Sequence, residues 1–320
     1  MTKGILGIDI AKLTYSASLV IDGKHYHHSF KNHPDCFADL MAWLDKHQAG
    51  EVHACMEATG RYWEDIAIFI HNAGYSVSVV NPMKISSYAK CKLARNKTDE
   101  LDADLIADYC ASQKPQNWTP MPPEVRELQA LERHLQALKA MHSQENNRLQ
   151  SKNPSDEVKS LIREHMAFIE QQITSMERKI LDQIKKHQDL QHQRDLLITI
   201  PGVGKSTAAK LLGENVQSFT SGRDLSAHAG LSPYIRLSGT SVHRKPHISK
   251  IGNAHIRRSL YFPAIVAMRY NPTIIAFCER LRMREKHNKV IIGAAMHKLL
   301  LLAHGVLKSE IPYDPNYTYC

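Results

Sequence analysis

The chain has 320 residues, enough for about two domains with sizeable cores, and 41 Lys and Arg against 32 Asp and Glu. No run of eighteen apolar residues and no leader pattern appears, and its six cysteines form no CxxC pair; a membrane span, a secreted product and a disulfide scaffold are all disfavoured, and a cytoplasmic protein is expected. The charge is uneven: residues 1–190 are net −2, whereas residues 191–320, with 18 Lys and Arg against 7 Asp and Glu, are net +11. That asymmetry points to catalysis in the first part and polyanion binding in the second.

Ile5 to Lys12 reads as a short apolar strand interrupted by Asp9, an acid that is costly in a core strand without a partner or a metal. Thr14 to Ile21 alternates like a second strand, Asp22-Gly23 signals a hairpin, and His25 to Phe30 makes a third. His25, His27 and His28 read as polar strand positions rather than zinc ligands, because no Cys/His partner pair accompanies them. Pro34 to His47 is an amphipathic helix with Phe37, Leu40, Met41 and Leu44 on one side. Glu51 to Gly60 is a strand ending in a second acid, Glu57, and a helix follows from Arg61 to Asn72. Tyr75 to Pro82 is a further strand.

Thr98 or Asp99 caps the next helix, which runs on through Leu105, Ile106, Ala107 and Tyr109. Asp99 and Asp102 stand three apart and share a face of its first turn. Two carboxylates so spaced can hold a hard cation; taken alone, the same residues read more readily as an acidic helix start that complements the helix dipole. Three strands, helix, strand, helix, strand, helix is the ribonuclease H-like order. In it, acids on the first and fourth strands and on a later helix converge on divalent metal.

Four segments carry a resemblance: Gly7-Ile8-Asp9-Ile10-Ala11-Lys12, Met56-Glu57-Ala58-Thr59-Gly60, Val80-Asn81-Pro82, and Arg95 to Ala103 with its Asp99-Glu100-Leu101-Asp102 core. In order and spacing they resemble the motifs of the DEDD transposases, insertion-sequence recombinases related to the Piv/MooV site-specific DNA invertases. The resemblance covers nearly the whole chain. It implies a RuvC-like domain whose Asp9, Glu57, Asp99 and Asp102 bind Mg²⁺, or Mn²⁺, with Lys97 among the nucleic-acid contacts. Glu100, Asp104 and Asp108 fall off that face and read as solvated helix charges.

From Pro122 onward the composition shifts to long helix formers. Val125, Leu128, Leu131, Leu135 and Leu138 keep a three-four spacing, and Asn153-Pro154 breaks the run. Ser155 caps a second helix whose stripe is Val158, Leu161, Ile162, Met166, Ile169, Ile173, Met176, Ile180 and Ile184. An antiparallel helical hairpin over 122–190 is expected. Periodicity alone does not separate an intramolecular bundle from an oligomer contact; the resemblance implies a coiled coil joining dimers or tetramers.

Ile200 to Thr207 mimics a P-loop, but Thr199 stands where that loop needs a glycine. A helix-hairpin-helix fits better. In it, Gly202, Gly204, Lys205 and Ser206 present a Gly-rich turn and a helix N-terminus to a DNA phosphate. Farther on, Ala229-Gly230-Leu231-Ser232-Pro233 precedes Arg236-Leu237-Ser238-Gly239-Thr240-Ser241. A serine in such a loop is ordinarily only a turn residue. The resemblance makes Ser238 the nucleophile, with Ser241 the fallback. Arg236, Arg257 and Arg258 are candidate phosphate contacts, and the run Arg280 to Lys286 suits the DNA backbone. Tyr261 lacks the residue set of a tyrosine recombinase and reads as packing. Ile291 to Val306 is a closing amphipathic helix, and the tail from Pro312 to Cys320 is expected to be mobile.

The expected architecture is α/β plus α: a RuvC/ribonuclease H-like mixed sheet domain (1–121), a helical spacer (122–190) and a mainly helical C-terminal domain (191–320). The expected activity is that of a bacterial DNA recombinase on double-stranded DNA, cytoplasmic and nucleoid-associated. As the resemblance further implies, it would be guided by an element-encoded bridge RNA. The alternatives are a Piv-like invertase without guide RNA, a RuvC-like metal-dependent nuclease in which water attacks, and a non-catalytic DNA-binding protein.

Overall fold

The computed structural model describes residues 3–93, 98–151, 155–234, 237–238, 242–243 and 247–317. Contacts divide the chain into two compact units, Met1–Pro120 and Met121–Cys320. The first unit is built on β1 (Lys3–Ile10), β2 (Thr14–Ile21), β3 (Lys24–Lys31), α1 (Phe37–Lys46), β4 (Glu51–Glu57), α2 (Glu64–Asn72), β5 (Ser76–Val80), α3 (Pro82–Cys91) and α4 (Asp99–Gln113). The strands make one mixed sheet in the order β3-β2-β1-β4-β5. β1, β2 and β3 pair antiparallel, while β1-β4 and β4-β5 are parallel. The expected order is met except for α3, an unforeseen helix between β5 and α4, and a mixed α/β unit of this kind fits a ribonuclease H-like domain.

Alternation along the strands sorts the two faces of the sheet. Leu6, Ile8, Tyr15, Ala17 and Leu19 point to one side and pack with Leu40 and Leu44 of α1 and Ile66 and Ile70 of α2. Cys55 and Val80 point to the other, against Ile85 of α3 and Ile106, Tyr109 and Cys110 of α4. Gly7 shares this second face. A Cβ there would lie 2.5 Å from the Ala107 nitrogen and well inside contact distance of the Ala103 carbonyl. The missing side chain lets α4 lie directly on β1. Some helix bounds differ from expectation: Pro34–Cys36 is a 3-10 turn ahead of α1, and α2 begins at Glu64 after a turn at Gly60 with φ +62°.

The second unit opens with α5 (Pro123–Leu149) and α6 (Asp156–Lys186). The pairs Lys139–Glu177 at 2.7 Å, His142–Glu170 at 2.9 Å and His165–Glu145 at 3.3 Å run in opposite senses along the two helices, so the hairpin is antiparallel. Ile162, Ile169, Ile180 and Ile184 are buried as expected, but Val158 and Leu161 face solvent, as does Phe168. There follow α7 (Gln188–Ile198), α8 (Lys205–Gly213), α9 (Gly222–His228), and the short pairs β6 (Pro233–Tyr234) with β9 (His247–Ile248) and β7 (Leu237–Ser238) with β8 (Val242–His243). α10 (Ala254–Ser259), α11 (Tyr261–Tyr270), α12 (Pro272–Met283) and α13 (Asn288–Ser309) complete the unit. α13 is long and apolar enough to cross a membrane by length and composition. Its Ile291, Ala295, Leu299 and Leu300 instead fill a core shared with Leu128 and Leu135 of α5 and Ile180 and Ile184 of α6.

Candidate carboxylate site and nucleic-acid-binding residues

The register of the two central parallel strands positions the first two acids. Ile8 lies opposite Met56, so the next residues, Asp9 and Glu57, stand at neighbouring strand ends. Both alternate onto the face that Gly7 and Cys55 share, the face covered by α4. Glu57 accepts a 2.6 Å hydrogen bond from Thr59 Oγ1, which fixes its carboxylate beside the strand end. The third acid comes from α4. Thr98 caps that helix by accepting from the Leu101 N–H, and the Asp102 N–H returns to the Thr98 carbonyl at 2.9 Å.

Asp9, Glu57 and Asp102 line one cleft of about 700 Å³, with Pro82, Ile85, Ser86 and Ala89 of α3 on its other wall. Asn81 caps α3 with its side chain and sets the start of that wall. Asp99, first residue of α4, is exposed and is not among the residues lining the cleft. An all-carboxylate oxygen donor set suits a hard divalent cation, so Asp9, Glu57 and Asp102 could hold one.

Two acids off that face also border the cleft, and one of them, Asp104, is more than a solvated charge. Asp108 lines the cleft and bonds Lys92 at 3.2 Å, which raises the lysine above its ordinary range. Asp104 also borders the cleft, and its Oδ1 accepts from Ser18 Oγ at 2.5 Å and contacts His25 Nδ1 and His27 Nε2. Burial alone raises the Asp104 carboxyl; the hydrogen bonds from Ser18, His27 and His25 outweigh it, and the net shift is downward. Sequence spacing missed this because the partners lie on β2 and β3, more than seventy residues away.

In the second unit, the turn from Thr199 to Gly204 joins α7 to α8. Gly202 has φ +104°, and a Cβ there would lie 2.8 Å from both the Pro263 carbonyl and Ala267 Cβ, so this glycine serves packing on α11. Gly204, Lys205 and Ser206 are exposed at the N-terminus of α8. Arg258 is exposed, while Arg257 donates one N–H to the Ala229 carbonyl at 2.9 Å and so ties α10 to the loop after α9. Ser238 falls in the backbone of β7, paired with Val242. Lys97, Arg236 and Ser241 lie outside the described residues.

With this geometry in place, two family models match the chain: a DEDD transposase model of the IS110 type over residues 6–152, and the transposase IS116/IS110/IS902 family over residues 194–279. Over 321 aligned residues, 98% of each chain, it is 34% identical to the pilin gene-inverting protein of Moraxella bovis. The chain belongs to the IS110 transposase family. The pilin gene-inverting protein of Moraxella lacunata matches equally, at 34% over 98% of each chain. An uncharacterized IS110 insertion-element protein of Streptomyces coelicolor is 33% identical over 111 residues, a third of this chain. An IS110-family protein of this kind is a DNA recombinase or transposase, an enzyme that acts on DNA. The cleft acids fall inside the first matched segment, and Gly202 to Ser206, Ser238, Arg257 and Arg258 inside the second.

Proposed function

We propose that this transposase cuts and rejoins DNA strands with Asp9, Glu57, Asp99 and Asp102 as its metal-holding carboxylates and Ser238 as its nucleophile. The observation that carries this reading is the convergence of Asp9, Glu57 and Asp102 on one cleft. Asp99 begins the helix that carries Asp102, where a bound phosphate or cation would draw it in. Mg²⁺, or Mn²⁺, bound there supplies Lewis acidity towards a phosphate oxygen. The chain's own residues do the rest. The carboxylates set the position of the scissile phosphate, and Ser238, from the same or a partner subunit, attacks phosphorus. One P–O bond to deoxyribose breaks, that oxygen leaves as a hydroxyl with the proton the serine gives up, and a transient phosphoserine linkage remains. That linkage keeps the phosphodiester energy for rejoining.

The remaining assignments follow the division into catalytic part (1–121), helical spacer (122–190) and C-terminal part (191–320). The turn between α7 and α8 acts as a helix-hairpin-helix: Gly204, Lys205 and Ser206 take a phosphate, and Gly202 holds the turn in place. Lys97, Arg236 and Arg258 add backbone contacts, while Arg257 braces the loop after α9. A bridge RNA supplies sequence specificity by base pairing. The α5–α6 hairpin joins subunits, a role supported by the exposed Val158, Leu161 and Phe168. The reaction takes place in the cytoplasm.

The experiment is covalent trapping. Wild type and Ser238→Ala are incubated with Mg²⁺ and labelled junction DNA, with and without co-purifying RNA, then denatured and resolved on a gel. An adduct confined to wild type and dependent on RNA is expected. Equal Mg²⁺-dependent nicking in both proteins, without adduct, contradicts the serine role. A second reading, a site-specific invertase without guide RNA, is favoured by the full-length match to two pilin gene-inverting proteins. An RNA-independent adduct would select it.

A further inference from the structure

β3 is one edge strand of the sheet, and His25 and His27 stand at alternate positions along it, so both rings leave the same face. α4 brings Asp104 to that face. Asp104 Oδ1 lies 2.8 Å from His25 Nδ1 and 2.7 Å from His27 Nε2, and the three ligand-capable atoms lie within 4.8 Å of one another. Ser18 Oγ, from β2, stands 2.5 Å from the same carboxylate oxygen and 3.3 Å from His25 Nδ1. Two imidazole nitrogens from one edge strand and one carboxylate oxygen from a separate helix thus meet within a few ångströms.

We propose that His25, His27 and Asp104 form a second metal site, for a zinc-like divalent transition ion, that clamps edge strand β3 to α4. The donor chemistry separates it from the cleft. Imidazole nitrogen suits Zn²⁺ and its neighbours, whereas Mg²⁺ and Ca²⁺ take oxygen. Bonds of about 2.0–2.1 Å in tetrahedral geometry put ligand atoms roughly 3.3 Å apart, so the contacts must open by about half an ångström. The side chains have that freedom: His25, His27 and Asp104 are 35%, 32% and 27% exposed, which also gives an ion its way in. Water or the Ser18 hydroxyl completes the coordination. Asp104 follows Asp102 by two residues, so an ion here would fix the α4 turn that carries a cleft carboxylate. The site does not depend on the catalytic reading above.

The test uses the full-length chain, stripped with chelator and titrated with Zn²⁺ by calorimetry, with Co²⁺ as an optical probe. Three proteins are compared: wild type, the double variant His25→Ala/His27→Ala, and the cleft variant Asp9→Asn/Asp102→Asn. The expected result is one tight zinc per chain in wild type and in the cleft variant. Binding should be weaker by roughly tenfold or more in the histidine variant, with the visible d–d absorption of tetrahedral Co²⁺ lost in parallel. Thermal melting of the metal-free proteins checks folding, and the single variant His27→Gln serves if the double variant is unfolded. Zinc bound equally by the histidine variants, or none bound by wild type, overturns the proposal and leaves a hydrogen-bonded staple.

Discussion

The seat of α4 on β1 is the point where packing and chemistry meet, and Gly7→Ala probes it. An added Cβ would stand 2.5 Å from the Ala107 nitrogen and 2.9 Å from Ala107 Cβ, closer still to the Ala103 carbonyl. Two of these are helix backbone atoms and the third is a Cβ fixed to that backbone, so no rotamer relieves the clash. α4 must lift by roughly an ångström to restore ordinary contact, and overpacking of that kind costs about 1–3 kcal/mol. The lift carries Asp102 away from Asp9, which sits two residues beyond Gly7 on the same face. A displacement near 1 Å at a reacting centre costs on the order of 10²-fold in rate. Chemical denaturation and strand cleavage by the same preparation read both effects. Gly7→Ala with wild-type stability and wild-type cleavage would refute the claim that this contact sets the carboxylate geometry.

Other predictions concern the second unit. Glu132 is buried on α5, and its Oε2 has no hydrogen-bond partner among the described residues. Burial pushes its carboxyl from 4.5 up to about 7, opposed by Lys210 and Lys139 and aided by Glu177. Between those pH values the folded state keeps a proton that the unfolded state has lost, so stability falls as pH rises from about 4.5 to about 7, by up to about 3 kcal/mol. Glu132→Gln should remove that part of the decline, as denaturation near pH 5 and near pH 8 would report; an identical decline in both proteins would contradict the assignment. Lys205→Ala and Arg258→Ala should each reduce the slope of log DNA affinity against log salt by about 1, with cleavage chemistry unchanged at saturating DNA. Arg257→Ala should instead lower the melting midpoint, because its guanidinium holds the Ala229 carbonyl; a change in salt slope alone would show it to be a phosphate contact.

Local pattern made the first unit legible. Period-two alternation from Leu6 to Leu19 separates the α1–α2 face from the α4 face, and Thr98 marks the start of α4 as its sequence indicates. The convergence of Asp9 and Glu57 followed from strand order, since neighbouring parallel strands end level. What spacing could not supply was the content of the space over β2 and β3. Asp104 reads as a surface charge along α4, yet Ser18, His25 and His27 reach it across the sheet, partners that no helical period can encode. Val158 and Leu161 show the converse. Periodicity identifies the apolar face of α6 but not which part of it α5 covers. The Gly-rich turn at Gly202 reads as a phosphate contact, and its close approach to Pro263 and Ala267 on α11 adds a packing duty that only the tertiary structure reveals.

In the proposed mechanism the cleft carboxylates, acting together, drive strand cleavage. The direct measurement is cleavage of junction DNA by wild type, Asp9→Asn and Asp102→Asn at saturating Mg²⁺, with melting curves of each protein alongside. Cleavage should fall by about 10³-fold or more in each variant, with the fold intact and DNA binding kept within a few-fold. Cleavage by either folded variant within a few-fold of wild type would contradict it.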